Sequence, residues 1–394
     1  MEEKIELVAT CLFGLEKFLG EEIDALGYQR LETIDGRITF AGPVSAIARA
    51  NMFLRFAEKV FIKMGDFVAT SFEDMFQGVK ALEWEKWIGP DDAFPVKGHS
   101  IRSQLRSVPD LQSIVKKAVV DRLSAEYGVT WFSEEGSLLQ IEFFLLNDRA
   151  QLLIDTSGAP LYKRGYRKES GEAPIRETLA AALCRISRPR EDVLFWDPFC
   201  GSGTIPIEAA MMMRNIAPGS FRNFAAENFL DLPESIWKQA REEANDLRKD
   251  TKFEVFASDI DPAMVDIAKI NAKSAGVSDL IRFFPKNALG IETHGRRGTI
   301  VCNPPYGERM DTHDKVYELY SAMGAHWKRL DHWQIYVITS DENFQNHYGR
   351  RADNVRKLYN GMLKCFYYQF YKPKDDVREK GGFRNQGFKK DRKK

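Results

Sequence analysis

Two short runs of residues carry most of the chemistry in this sequence. The first, Asp197-Pro198-Phe199-Cys200-Gly201-Ser202-Gly203-Thr204, follows an apolar run and leads into the helical pattern Ile205 to Ala210. Glycines at 201 and 203 let the chain turn tightly and let a ligand lie against bare backbone, while the first N–H groups of the helix stay unpaired. The run has neither the third glycine of the dinucleotide fingerprint nor the lysine of a phosphate loop, which disfavours a pyrophosphate guest. Asp197 at the strand end favours a cationic amino group instead. On residue chemistry alone, a purely structural turn stays open as the alternative.

The second run is Asn303-Pro304-Pro305-Tyr306-Gly307-Glu308. Two successive prolines stiffen the backbone and remove two donors, so nearby carbonyls are free to accept. Asn303 and the Pro304 carbonyl can together hold an exocyclic amino group, and Tyr306 offers a face for a nucleobase. No general base stands out, and Glu308 is not given that role. Between the two runs lies Ser258-Asp259-Ile260-Asp261. An acid at the tip of the second strand of a doubly wound sheet is where ribose hydroxyls are bound, and Ile260 can pack on an adenine face. Asp259 lies much further from the glycine turn than the usual ~20 residues, so an insertion, Ala217 to Lys252, must separate them.

The elements that must position these runs fall into three blocks. Residues 4 to 62 read as a small α+β unit: a strand at Ile5 to Thr10, a helix from Leu15 to Leu26, a strand at Arg37 to Phe40 and a second helix, Pro43 to Asn51. Residues 65 to 160 hold strand-like Asp66 to Ala69 and Phe94 to Lys97, a long helix from Asp110 to Glu126, and strands Leu138 to Leu146 and Arg149 to Asp155 around an Asn147-Asp148 turn. From Ala173 to Lys372, strands at Asp192 to Trp196, Phe253 to Ser258, Ile281 to Phe284, Thr299 to Cys302 and Trp333 to Thr339 alternate with helices, as in a parallel α/β sheet. Arg356 to Tyr359 and Met362 to Tyr371 flank Asn360-Gly361, a hairpin signal that predicts an antiparallel strand at the edge of that sheet.

The two runs resemble motifs I and IV of the class I S-adenosylmethionine-dependent methyltransferases that act on exocyclic amines of bases. Asp155-Thr156-Ser157-Gly158-Ala159-Pro160-Leu161-Tyr162-Lys163-Arg164-Gly165-Tyr166-Arg167 is similar to the junction between a THUMP domain and such a methyltransferase, and Ala173 to Ala180 to the helix that follows. Asn215-Ile216-Ala217-Pro218-Gly219 and Phe221-Arg222 resemble the bacterial THUMP-containing branch that modifies guanine N2 of 23S, large-subunit, ribosomal RNA. The resemblance spans nearly the whole chain.

It implies a Rossmann-like α/β methyltransferase with an antiparallel edge strand at 166–374, preceded by an α+β ferredoxin-like domain at 1–64 and an RNA-binding THUMP domain at 65–165, and followed by a basic tail at 375–394. S-adenosylmethionine is the implied cofactor. Asp197, Pro198, Gly201, Gly203 and Thr204 would surround its methionine part, Asp259 its ribose and Ile260 its adenine. Asn287-Ala288 stands where the family usually shows an Asp for the adenine amino group, so an Asn would accept that hydrogen bond without the charge. Asn303, Pro304, Pro305 and Tyr306 would form the catalytic group, with Asn303 also touching cofactor, and Lys163, Arg164 and Arg167 would contact RNA. One methyltransferase activity is expected within these 394 residues. Adenine N6 of RNA or DNA is the alternative target, and an RNA-binding assembly factor with a vestigial methyltransferase domain is the alternative of another class.

Composition bounds these readings. With 44% hydrophobic and 12% aromatic residues the chain can build cores of two or three domains. No apolar run reaches the roughly 18 residues of a membrane span, and no secretory signal opens the sequence, so a cytoplasmic protein without membrane contact is expected. Five scattered cysteines without a CxxC pair and six histidines without ligand spacing suggest neither disulfides nor a metal site. The 57 basic and 57 acidic side chains cancel, yet Lys372 to Lys394 carries a net +6 and Leu161 to Arg190 a net +5. The neutral total therefore averages a cationic track suited to RNA and an acidic remainder.

Overall fold

The computed structural model describes residues 4–169, 174–230, 232–306 and 313–371. The basic tail and the Gly307-Glu308 pair lie outside the described residues.

The first half of the chain folds around one seven-stranded sheet. Its strands are β1 (Ile5–Cys11), β2 (Gln29–Ile34), β3 (Arg37–Gly42), β4 (Ala57–Val68), β5 (Val96–Ile101), β6 (Ile141–Leu146) and β7 (Arg149–Asp155), in the order β2-β3-β1-β4-β7-β6-β5. β4 runs through residues 64 and 65, where the sequence reading divides two domains, and pairs with β1 on one side and β7 on the other. Only β5 and β6 pair in parallel, and the twenty-residue helix Val108–Tyr127 makes that crossover. Asn147 and Asp148 take φ of +51° and +63°, the double positive φ of a tight hairpin turn between β6 and β7. β2 has no counterpart in the sequence reading because all six of its residues are exposed, so it shows no inward-outward alternation.

The second half is a doubly wound sheet: β8 (Leu194–Asp197), β9 (Val255–Asp259), β10 (Ile281–Pro285), β11 (Gly298–Cys302), β12 (Trp333–Thr339), β13 (Asn354–Asn360) and β14 (Leu363–Phe370), ordered β10-β9-β8-β11-β12-β14-β13. The first five strands are parallel, and all but the edge strand β10 are largely buried; Trp196 on β8 packs against Phe256 on β9, Phe284 on β10 and, across β11, Trp333 on β12. The reversed strand, β14, lies between β12 and β13 rather than at the outer edge. Burial explains the order: the second half of β14 is Tyr367 to Phe370, all buried, whereas β13 begins with four exposed residues and takes the edge. Gly361 (φ +65°) and the exposed Met362 form the two-residue turn between them.

The insertion predicted between the first two strands of this sheet is present as a short 3-10 turn and the helix Glu234–Asp246. It holds the two halves together. Arg49 pairs with Glu243 through two hydrogen bonds of 2.7 and 2.8 Å, and Arg222 donates to the carbonyls of Ser157, Ala159, Pro160 and Lys163. No helix among the described residues is long and apolar enough to cross a membrane.

Candidate active site

The sheet order reverses between β8 and β11, and the crevice outside their carboxyl ends is where an open α/β sheet binds ligands. A cavity of about 430 Å³ occupies that crevice. Asp197 ends β8, Asp259 ends β9, Asn287 follows β10 and Asn303 follows β11, so parallel pairing alone brings four distant positions to its wall.

The glycine loop is held from beneath. The Cys200 N–H donates to the Ser258 carbonyl (3.0 Å), the Gly203 N–H to the Cys200 carbonyl (2.8 Å) and the Gly201 N–H to Asp259 Oδ2 (3.0 Å). Gly201 and Gly203 have φ of +50° and +88°, conformations that disfavour any side chain. A Cβ at 203 would stand 3.0 Å from the Ala268 Cβ, so this glycine also sets the contact between loop and helix Pro262–Ser274. Around Gly201 the same test meets nothing closer than 4.0 Å, which leaves its backbone open to a ligand. Helix Thr204–Met213 starts from Gly203 without a side-chain cap, so its first N–H groups are not satisfied by one.

Asp197 is 1% exposed, and its Oδ1 accepts from the Phe199 N–H at 3.0 Å. Burial pushes its carboxyl well above the usual range; the Phe199 N–H pulls it back, and the charge of Asp259 adds to the rise. Asp259 is oriented by the Gly201 N–H on one oxygen and the Asp261 N–H on the other (3.1 Å). Asp261 caps the following helix through the Ala263 N–H, leaving Ile260 71% exposed at the cavity rim. Asn287 Oδ1 accepts from the Leu289 N–H at 2.9 Å, and the Ala288 carbonyl accepts from the Trp327 indole, which fixes this loop. The Tyr306 hydroxyl donates to Asn303 Oδ1, and the Tyr320 hydroxyl donates to the Pro305 carbonyl at 3.0 Å.

Of the residues singled out in the sequence, Asp197, Pro198, Gly201, Thr204, Asp259, Ile260, Asn287, Ala288, Asn303 and Pro305 line the cavity. Gly203 shapes it from behind; Pro304 is buried, and Tyr306 sits beside Asn303. Lys163 is exposed. The assignment of Arg164 and Arg167 to RNA needs correction. Arg164 is 1% exposed, its guanidinium facing Glu208 (3.5 Å) and donating to the carbonyls of Leu161 and Arg55. Arg167 is turned inward, donating to Glu177 Oε1 (2.9 Å), Ser202 Oγ (3.1 Å), Thr204 Oγ1 (2.9 Å) and the Ile175 carbonyl (3.2 Å). A count of basic residues cannot distinguish arginines that meet solvent from those that meet a buried carboxylate. Arg167 is instead a positioning residue for the glycine loop, and no spacing rule links it to Ser202 or Thr204. Phe199, Cys200, Met264, Leu289 and Leu319 also line the cavity and were not singled out, since apolar lining residues look like core residues in a sequence.

S-adenosylmethionine fits these residues. The cavity is in the size range of small-molecule sites, it opens on the bare backbone of Gly201, and the Asp197 and Asp259 carboxylates set an acidic field in which a cationic ligand would offset their mutual repulsion. Among the described residues no group of three or more His, Cys, Asp or Glu is arranged to hold a metal ion, and all five cysteines are buried thiols.

Comparison with known proteins agrees with the geometry. Residues 164–369 match the RMKL-like methyltransferase domain, residues 6–61 the RlmL ferredoxin-like domain and residues 69–155 the THUMP domain. The chain is 43% identical over 372 residues to the putative RNA methyltransferase YpsC of Bacillus subtilis, covering 94% of this chain and 96% of that protein. It is 31% identical over 363 residues to ribosomal RNA large subunit methyltransferase K/L of Psychromonas ingrahamii, spanning 89% of this chain but 48% of that longer protein. The crystal structure of a putative methyltransferase complexed with SAH superposes with a TM-score of 0.88 at 40% identity, covering 95% of this chain and 99% of that one. With a glycine loop, two strand-end acids and an Asn-Pro-Pro-Tyr turn gathered at one crevice, the chain belongs to the RMKL-like family of S-adenosylmethionine-dependent methyltransferases, with RlmL ferredoxin-like and THUMP domains ahead of the catalytic domain.

Proposed function

We propose that this protein methylates RNA in the cytoplasm, at the exocyclic N2 of a guanine in large-subunit ribosomal RNA. The observation that carries the reading is the meeting of Asp197, Asp259 and Asn303 at the ends of three neighbouring strands, with Tyr306 beside Asn303. The THUMP domain and the likeness to an RNA methyltransferase and a ribosomal RNA large subunit methyltransferase support RNA, and the longer relative supports the large ribosomal subunit. The division into domains at 1–64, 65–165 and 166–374, with a basic tail from 375, belongs to the same proposal.

When bound, S-adenosylmethionine supplies a methyl group on a sulfonium, an electrophile that needs no activation. The protein's part is placement. Asp259 would receive the cofactor's ribose hydroxyls, Asp197 and the Gly201 backbone its amino-acid end, and Ile260 would lie against its adenine. Asn287 Oδ1 keeps a second lone pair for the adenine amino group after its bond to the Leu289 N–H. Asn303 Oδ1 likewise has a second lone pair beyond the one used by Tyr306, and with the Pro304 carbonyl it draws on the hydrogens of the target amine. That pull localises the nitrogen lone pair and stabilises the positive charge that develops on it. Holding the target amine against the cofactor site in a reactive orientation would supply on the order of several kcal/mol more, as positioning does in general. The amine then releases its proton to solvent. A paired base is out of reach, so the target is unpaired or flipped and stacks on Tyr306.

The test is nucleoside mass spectrometry of RNA incubated with the full chain and isotopically labelled cofactor. Labelled N2-methylguanosine is expected. Labelled N6-methyladenosine would transfer the proposal to the adenine reading, and cofactor binding without any labelled nucleoside would favour the assembly-factor reading.

A further inference from the structure

A second cavity, of about 620 Å³, lies at the opposite ends of the same strands. Its wall includes Val193 just before β8, Gly298 and Thr299 at the start of β11, Gln334 near the start of β12 and Asn354 at the start of β13. The length of β11, roughly 15 Å, separates this end of the sheet from the cofactor crevice. The N-terminal helix Glu16–Ala25 closes one side with Lys17, Phe18 and Glu21.

Six cationic side chains surround this cavity: Lys17, Arg185, Arg188, Arg190, Arg297 and Arg356. Carboxylates are scarce beside them. Glu21 lines the cavity and pairs with Arg185 at 3.2 Å, and Asp192, just outside, lies 3.7 Å from Arg190 and 3.9 Å from Arg297. Among the described residues Lys17, Arg188 and Arg356 form no ion pair. Arg356 instead stands over the Phe18 ring. Like charges brought to one concave surface repel each other, and among the described residues only three of the six have a carboxylate within ion-pair reach.

The deepest polar group sharpens the point. Gln369 on β14 lines the cavity, is 2% exposed, and lies between Tyr336 and Asn354 on the flanking strands, both also in the wall. Its Oε1 accepts from the Tyr371 hydroxyl at 2.7 Å, which turns the amide so that Nε2 has no partner among the described residues. A buried donor left unpaired is costly and calls for an acceptor. An unpaired donor beneath a ring of guanidiniums asks for an anion with several oxygens, and guanidiniums match phosphate geometry in a two-pronged fashion.

We propose that this cavity binds a ligand carrying closely spaced phosphates, on the face of the catalytic domain remote from methyl transfer. Two sources share that chemistry: a stretch of RNA backbone and a free polyphosphate. The acidic cofactor crevice at one end of the sheet and this cationic cavity at the other divide the work between a cationic small molecule and a polyanion.

The experiment compares wild type with an Arg297→Glu/Arg356→Glu double variant, both sites being exposed and outside the methyl-transfer crevice. Calorimetry with inorganic tripolyphosphate and with a single-stranded RNA oligomer measures binding, and SAH titration reports whether the catalytic domain is intact. Wild type should bind at least one of the two probes, and the double variant should bind that probe more than about tenfold more weakly with SAH affinity unchanged. If RNA is the source, the slope of log affinity against log salt should fall by about two in the variant; if a free polyphosphate is the source, tripolyphosphate alone should show the loss. Wild-type indifference to both probes, or equal binding by the double variant, would overturn the proposal. Either result leaves methyl transfer at Asn303 to be judged by its own assay.

Discussion

Replacing Arg167 with methionine should weaken cofactor binding although Arg167 is not among the residues that line the cofactor cavity. In the native protein its guanidinium spends one bond on the nearly buried Glu177, two on the loop hydroxyls of Ser202 and Thr204, and one on the Ile175 carbonyl. Methionine keeps much of the length and removes every donor. Glu177 is then a buried carboxylate without its partner, a change worth about 3 kcal/mol of folding stability. The two loop hydroxyls each lose a bond worth about 0.5 to 1.5 kcal/mol. If about 1.4 kcal/mol of that positioning is expressed in the bound state, affinity for SAH falls about tenfold. Calorimetric titration with SAH and urea unfolding of the same preparations separate the two effects. Adding Glu177→Gln to the variant removes the stranded charge, so most of the stability should return while the affinity stays low. Burial already raises the Glu177 carboxyl above its ordinary range, with Arg167 opposing that rise. Without Arg167 it rises further, the native state holds a proton that the unfolded chain releases, and the stability deficit should shrink as pH falls from 8 to 6. Unchanged SAH affinity in Arg167→Met would refute the positioning role, and failure of Glu177→Gln to restore stability would refute the stranded-charge argument.

Other outcomes follow from the same structure. Gly203→Ala places a Cβ at φ +88° and 3.0 Å from Ala268, so it should cost about 1 to 3 kcal/mol in urea unfolding, while Gly276→Ala, where a Cβ meets nothing, should cost less. Because the Asp197 carboxyl sits above its usual range, affinity for the cationic cofactor should rise with pH as it ionises, and Asp197→Asn should bind weakly with that pH dependence gone, as read by calorimetry. Burial lifts the Glu22 carboxyl to about 7, against the Arg55 charge and the Phe56 N–H. A raised carboxyl loses stability progressively as pH climbs from its unfolded value to about 7 and levels off above that, so Glu22→Gln should gain melting temperature relative to wild type from pH 5 to pH 7, with the gain flattening by pH 8.

The parallel sheet was legible because its strands are short, apolar and followed by helical periodicity, and the loops after them carry the residue types that touch ligand. The Asn147-Asp148 turn was equally plain, since both residue types tolerate positive φ. Three features were not. β2 is exposed along its whole length and has no pattern to read. The place of β14 between β12 and β13 depends on which hairpin arm is more apolar, a comparison the turn signal does not make. The roles of Arg164 and Arg167 depend on Glu208 and Glu177, whose burial is a property of packing and not of spacing. The cationic cavity likewise draws on six separated segments of chain, so only the folded molecule reveals it.

Methyl transfer at Asn303 is tested most directly by a single-turnover reaction of Asn303→Ala with labelled cofactor and substrate RNA, run beside SAH titration of the same variant. Loss of most transfer, by about 10²-fold or more, with SAH affinity close to wild type is the predicted result. A wild-type single-turnover rate in Asn303→Ala would contradict it.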